Sequence, residues 1–257
     1  MKSVIITGAF GLLGSELLRL LSVLDWHVIA IDIKDEPIGL QENVSFIQWD
    51  LSKIDSYPDL GKRVNELTEN LKGLINNAAI NPKIEGIEKN AFGKFEDIIL
   101  DEWERDIQIN LTSPIFLIKE FLPLFNHNEE RCKIVNVGSV IGLLSPNQNI
   151  YKQLSEKMGI EIFKPLSYSV SKAGLLMTTK YLSTYLSRGG FNINAVAPGG
   201  IENEQDDVFV NVYCKHIPMG RMAKVKEVAD VILFLLGKGS DYINGETIVV
   251  DGGYSIW

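Results

Sequence analysis

Short runs of β-branched and apolar residues alternate along the chain with longer stretches whose apolar residues recur at helical spacing. "KSVIITG" (2–8), "HVIAIDI" (27–33), "VSFIQWD" (44–50), "GLINNAA" (73–79), "KIVNVGS" (133–139), "FNINAVAP" (191–198) and "GETIVVDGG" (245–253) read as strands. Residues 14–25, 59–71 and 224–237 read as amphipathic helices. "LDEWERDIQINLTSPIFLIKEFLPLF" (100–125) predicts a long helix bent near Pro114, and a further helix is expected around Tyr168. Strand–helix alternation of this kind predicts a single domain: an α/β doubly wound parallel sheet with helices on both faces. Nothing along residues 1–257 reads as a linker, an internal repeat or a low-complexity tract.

Composition narrows the function. The formal net charge of −8 argues against a nucleic-acid surface, because phosphate contacts need a basic patch. No apolar run has the length of a bilayer span, so no membrane partner is expected. The opening "MKSVIITGAFGLLG" reads as a buried strand entering a glycine turn rather than as a signal peptide. Two cysteines, Cys132 and Cys214, lack a CxxC pattern, and the three histidines show no ligand spacing. A reducing cytoplasm and no metal are therefore expected.

Chemistry concentrates in two places. In "TGAFGLLG", Gly8, Gly11 and Gly14 follow the first strand and open the first helix. Glycines there permit a tight turn and a close approach of backbone to a pyrophosphate, which the helix N-terminus stabilises. Asp32 closes the second strand eighteen residues past Gly14, where a carboxylate binds ribose hydroxyls and repels a 2′-phosphate. NAD is thus favoured over NADP, with Lys34 read as a solvated loop charge. The second place is "YSVSK", where Tyr168 and Lys172 lie one helical turn apart on one face. An ammonium beside a phenol can lower the phenol's pKa, although a plain surface pair has the same spacing.

With both places in view, the chain resembles the short-chain dehydrogenase/reductase family over nearly its whole length. The likeness is carried by "TGAFGLLG", Asp32, "DL" at 50–51, "NNAA" at 76–79, Asn110, Ser139 in "NVGS", "YSVSK" at 168–172, "APGGI" at 197–201 and "VDGG" at 250–253. It implies a Rossmann fold and an NAD(P)-dependent oxidoreductase moving a hydride between nicotinamide and a secondary alcohol or ketone. By that resemblance Tyr168 is the acid/base, Lys172 tunes it and holds the nicotinamide ribose, and Ser139 bonds the substrate oxygen. Asn110 would hold the helix geometry and a relay water. The cofactor would be lined by Gly8, Gly11, Leu12, Leu13, Gly14, Asp32, Ile33, Asp50, Leu51, Asn77, Ala78 and Ala79. Tyr168, Lys172, Pro198, Gly199 and Ile201 would complete that lining, and a homodimer or homotetramer is implied.

Several features depart from the family pattern. The even GxxGxxG spacing is commoner in the sugar-nucleotide epimerase branch, whose longer C-terminal substrate domain is not expected here. Asn203 stands where many members place a threonine. The gap between Ser139 and Tyr168 is long, so the stretch at about 143–165 reads as an insertion near the substrate pocket. Within it Ile150, Leu154 and Met158 form an apolar stripe that Gly159 can end. This segment is expected to cap the pocket with polar contacts from Asn147, Gln148 or Lys152. Tyr151 lies nearer the usual distance from Ser139 but has no lysine one turn away, so Tyr168 is preferred. "FKPLSYSVSKAGL", "APGGIENEQ" and "PMGRMA" are similar to a bacterial flagellin-modification and surface-glycan subgroup, which implies a sugar or sugar phosphate substrate. The alternatives are a non-catalytic dinucleotide-binding sensor or scaffold, and a sugar-nucleotide epimerase or dehydratase.

Overall fold

The computed structural model describes residues 1–81, 93–127 and 130–256. Seven strands form one parallel sheet: β1 (Lys2–Thr7), β2 (Trp26–Asp32), β3 (Val44–Gln48), β4 (Leu71–Asn76), β5 (Cys132–Val137), β6 (Phe191–Pro198) and β7 (Thr247–Val250), in the order β3-β2-β1-β4-β5-β6-β7. The order reverses at β1, whose neighbours are β2 and β4. Open parallel sheets bind ligands at such a switch point, beyond the carboxyl ends of the strands.

Helices cover both faces. They are α1 (Leu12–Leu21), α2 (Tyr57–Leu67), α3 (Leu100–Ile107), α4 (Ser113–Phe121), α5 (Lys152–Met158), α6 (Leu166–Leu186), α7 (Asp207–Cys214) and α8 (Val225–Leu236). Because successive strand residues point to opposite faces, Val4 and Ile6 pack with Leu17 of α1 and Ile232 of α8. Ile5 points the other way and packs with Leu60 of α2 and Phe121 of α4. Both faces are buried, which is why these strands read as continuous apolar runs.

The expected bend near Pro114 has another origin. Residues Gln108–Thr112 form a π turn between α3 and α4, and Pro114 sits harmlessly in the first turn of α4, where its missing N–H costs no hydrogen bond. Asn110 occupies the middle of that π turn.

A third apolar cluster lies apart from the two sheet faces. It joins Ile150, Tyr151, Leu154 and Ile162 to Phe209 and Tyr213 of α7 and to Met222. Ile150 sits in a 3-10 turn (Gln148–Tyr151), and Gly159 ends α5 in the left-handed conformation at φ 68°. Met158, expected in the buried stripe, is exposed; Ile162 fills the place instead, after the chain turns back at Gly159. No described helix is long and apolar enough to cross a membrane.

Candidate active site

The carboxyl ends of β1 and β4 are tied by side chains of the turn residues. Thr7 Oγ1 accepts from the amides of Asn77 and Ala78, at 3.0 and 3.1 Å. The Asn77 amide donates to the carbonyls of Thr7 and Gly8, at 3.0 and 2.9 Å. Between them Gly8 turns at φ +63°, and a Cβ there would lie 2.7 Å from Ala78 Cα. At Gly14 a Cβ would lie only 2.2 Å from the Gly8 carbonyl oxygen. That absence of side chains lets α1 rest directly on the turn. No side chain caps the first turn of α1, so its leading amides keep their positive end toward the cavity bordered by Gly11, Leu12 and Leu13. These features fit a dinucleotide's pyrophosphate.

Gly14→Ala is expected to push α1 off the turn. The loss should be about 1–3 kcal/mol of stability, as overpacking costs elsewhere, with NAD binding weakened in parallel. Thermal melts with and without NAD measure both effects; an unchanged melt and an unchanged NAD response would show that the turn tolerates the methyl group.

Asp32, buried at the end of β2, accepts from the amides of Phe10 at 2.8 Å and Lys34 at 3.0 Å. Each carboxylate oxygen retains a lone pair for a ribose hydroxyl. Lys34 is exposed, as a solvated loop charge would be; its ammonium also donates to the Phe10 carbonyl at 3.0 Å and borders the same cavity.

From this glycine turn one continuous cavity of about 860 Å³ runs along the strand ends to Ser139, Tyr168 and Lys172. Its lining holds Ile33, Asp50, Leu51, Asn77, Ala78 and Ala79 at one end and Pro198, Gly199 and Ile201 farther on. Two residues expected in the site stand behind the lining. Gly14 serves the packing of α1, as above. Asn110 clamps the chain after β4: its carbonyl oxygen accepts from the Ile80 amide at 2.7 Å and its amide donates to the Ile80 carbonyl at 2.9 Å. It also reaches Ser171 Oγ on α6, at 3.4 Å. The π turn therefore couples the catalytic helix to the end of β4.

Ser139 leaves β5 in extended backbone and accepts from the Ile141 amide at 3.2 Å. Tyr168 and Lys172 point to it from the first two turns of α6, one above the other as their spacing requires. The Lys172 ammonium donates to the Val137 carbonyl at 2.8 Å and lies 5.8 Å from the centre of the Tyr168 ring. Burial pulls the Lys172 pKa down to about 8. For Tyr168, burial pushes the phenol above its ordinary value, and the hydrogen bond with Ser139 pulls the other way. Burial thus outweighs the one contact that lowers this phenol, and the expected lowering by Lys172 is not among the effects on it.

The rival Tyr151 stacks on Phe209, with ring centres 5.5 Å apart at 24°. Phe209 in turn stacks on Tyr213 and Tyr213 on Tyr254, at 5.5 and 5.2 Å. All four rings border the cavity and make an aromatic wall beside Tyr168. Burial raises the Tyr151 phenol strongly, and its neighbour Lys152 is exposed, away from the cavity.

The insertion reaches the cavity through Pro146, Ile150, Tyr151 and Lys164. Asn147 caps the 3-10 turn instead, accepting from the Asn149 amide at 3.1 Å. Gln148 closes the insertion on itself: its carbonyl oxygen accepts from the Lys164 amide at 2.9 Å, and its amide donates to the Lys164 carbonyl at 3.3 Å. Lys164 was not among the residues the sequence singled out. Its ammonium lies 4.1 Å from the centre of the Tyr168 ring and donates to Asn81 Oδ1 at 2.6 Å. The sequence did carry a signal, a lysine one turn before Tyr168, but Pro165 between them breaks helical spacing as an argument.

A parallel sheet with a glycine turn at its switch point, opening on a Ser–Tyr–Lys cluster, is the build of a nicotinamide-dependent oxidoreductase. Residues 14–255 match the family model described as "Enoyl-(Acyl carrier protein) reductase", and the chain belongs to this family of short-chain dehydrogenases/reductases. It is 30% identical over 98% of its length to the 3-oxoacyl-[acyl-carrier-protein] reductase FabG of Buchnera aphidicola subsp. Schizaphis graminum, covering 96% of that protein. It is 27% identical to an uncharacterised short-chain type dehydrogenase/reductase of Sinorhizobium fredii and spans 43% of that protein's length. Among solved structures it is similar to a short chain dehydrogenase from Leptospira borgpetersenii with bound NAD+, at a TM-score of 0.86 and 27% identity, covering 99% of this chain and 92% of that one. A 4-hydroxyisoleucine dehydrogenase complexed with NADH shares the fold at a TM-score of 0.82 and 22% identity. The chain is an NAD(P)-dependent oxidoreductase of alcohol and ketone substrates.

Proposed function

We propose an NAD-preferring dehydrogenase or reductase of a small, hydroxyl-rich secondary alcohol or its ketone, a sugar or sugar phosphate in size and polarity. One observation carries this reading: Ser139, Tyr168 and Lys172 meet at one end of the cavity whose other end is the glycine turn and Asp32. The nicotinamide cofactor supplies or accepts the hydride. Ser139 orients the substrate oxygen, and Tyr168 gives it a proton in reduction or takes one in oxidation. Lys172, fixed on the Val137 carbonyl, holds a positive charge behind the phenol. Asn110 acts through the backbone of Ile80 and through α6. The aromatic wall offers ring faces to the C–H side of such a substrate, and Pro146, Ile150 and Tyr151 of the insertion cover the pocket.

The test is NADH formation with NAD+ and NADP+ across a panel of polyols, sugars, sugar phosphates and hydroxy acids. NAD binding without turnover of any secondary alcohol would instead mark a sensor. Asp32→Ala is expected to weaken NAD binding about 10-fold, because charge-assisted bonds to two ribose hydroxyls contribute at least that much. It should also relax discrimination against NADP. Since Asp32 also holds two backbone amides, Asp32→Asn separates lost charge from lost support. An unaltered protein that already prefers NADP would mean that Lys34 pairs with the 2′-phosphate, and the NAD reading fails.

A homo-oligomer is part of this proposal. Met177, Tyr181 and Tyr185 stand exposed at helical spacing along α6, and Val249 is exposed on the edge strand β7. Exposed apolar rows of this kind suit self-association. The free Cys132 and Cys214 support a reducing, cytoplasmic setting.

A further inference from the structure

Charge is divided unequally along the cavity. Its only carboxylates among the described residues, Asp32 and Asp50, lie at the glycine-turn end. The opposite end holds Lys172, Lys164 and Arg105 and no carboxylate. Arg105 has an acidic neighbour, Asp106, with 3.9 Å between Nη2 and Oδ1. Lys164 and Lys172 form no ion pair among the described residues; each bonds only to neutral oxygens, on Asn81 and Val137. In a protein of net charge −8, two ammoniums facing one pocket with no carboxylate partner among the described residues are a costly arrangement. Burial and the repulsion of Lys172 together bring Lys164 down to about 8. Lys164 is half-buried and borders the cavity.

Its placement is built rather than incidental. Gln148 fixes the backbone of Lys164 from both sides, and Pro165 restricts the next step of the chain. The side chain then runs over the Tyr168 ring, where the π face favours a cation. Lys172 is fixed on the Val137 carbonyl and Arg105 lies beside Asp106, which leaves Lys164 as the cation directed at substrate.

We propose that the substrate carries a carboxylate or a phosphate close to its reacting carbon, and that Lys164 binds this group beside Tyr168 and so selects anionic alcohols or ketones. The proposal rests on the oxidoreductase reading above and narrows its substrate class. An ammonium with one neutral partner retains donors for an oxyanion, and a pocket built to pair a charge rejects the neutral analogue.

Calorimetric titration of the NAD-saturated protein with malonate and with inorganic phosphate tests it, since bound NAD fills the pyrophosphate end. At least one anion should bind the unaltered protein, and the stronger of the two identifies carboxylate or phosphate. Lys164→Met should weaken that binding about 10-fold or more, the loss seen when one partner of a desolvated charged contact is removed. Lys164→Arg should retain most of it, and NAD affinity should stay the same in both variants. With hydroxy acids and their methyl esters as substrate pairs, Lys164→Met should raise the KM of the acid with little change in kcat and erase the preference over the ester. Equal anion binding in Lys164→Met, no anion binding to the unaltered protein, or equal use of acid and ester by the unaltered protein would each overturn the inference. Lys164-dependent anion binding without turnover of any alcohol would sink the oxidoreductase reading and leave the anion site standing.

Discussion

Tyr168→Phe lowers turnover about 100-fold or more, because a positioned proton donor contributes that much to a step that changes charge on oxygen. The phenyl ring keeps its place under Lys164 and on α6, so NAD affinity should be unchanged. Thermal stability should change by about 1 kcal/mol at most, the usual contribution of one hydroxyl's polar contacts. The phenol is protonated at neutral pH, since burial holds its pKa above the ordinary value. That suits proton donation to a ketone, and the deficit should be plain in the reductive direction. Initial rates with NADH and a ketone substrate, beside fluorescence titration of NADH, measure both quantities. A Phe variant that turns over normally would transfer the acid/base role to Tyr151 or another group of the pocket.

The parts of this fold that were legible in the sequence are those where local pattern and tertiary environment agree. Each strand of a parallel sheet is buried on both faces, so Val4, Ile5 and Ile6 read as one apolar run without alternation. The glycine turn was legible for the same reason: local conformation and close packing both require Gly8. Helix α7 was not predicted. Val208, Phe209, Val210 and Val212 have strand propensity, and the helix is set by the Asp206 N-cap, which accepts from the Val208 amide at 2.9 Å, and by burial of Phe209 and Tyr213. Tertiary packing prevailed over propensity.

The candidate site divides in the same way. Tyr168 and Lys172 lie on one regular helix, where spacing converts directly to geometry. Lys164 is placed by Gln148, sixteen residues earlier and across an irregular loop, which no periodicity reports. The phrases that suggested a surface-glycan subgroup have structural duties as well. In "PMGRMA", Ala223 exchanges backbone bonds with Gly200 and Glu202, and the Met219 amide reaches the Gly252 carbonyl. In "APGGIENEQ", Gln205 bonds the Ile201 carbonyl and the Asn203 amide. Such contacts close the loops around the pocket whatever the substrate, so these phrases speak for the fold more than for a sugar.

Excising the insertion should have the largest effect on substrate after loss of Tyr168. Gln148 bonds directly to the backbone of Lys164, so the two ends of the segment already lie side by side. A two-glycine link from Pro146 to Phe163 can therefore replace residues 147–162 and keep Lys164. Four buried side chains leave with the segment: Ile150, Tyr151, Leu154 and Ile162. They belong to the cluster around α7 and not to either sheet face, so the sheet and the glycine turn should remain folded. The aromatic wall then loses Tyr151 and opens to water, which weakens every polar contact at the substrate oxygen. Substrate KM should rise about 10-fold or more, consistent with losing an apolar wall that contributes a few kcal/mol. NAD affinity should change little, because the dinucleotide end of the cavity is bordered by the glycine turn, α1 and the end of β2. Where the excised chain proves too unstable to assay, Leu154→Ala provides the milder version. It leaves a cavity in the same cluster, at about 2–5 kcal/mol, without touching the pocket lining. Wild-type kcat/KM in a folded excision variant would show that the insertion is a surface decoration and that the pocket is closed by other elements.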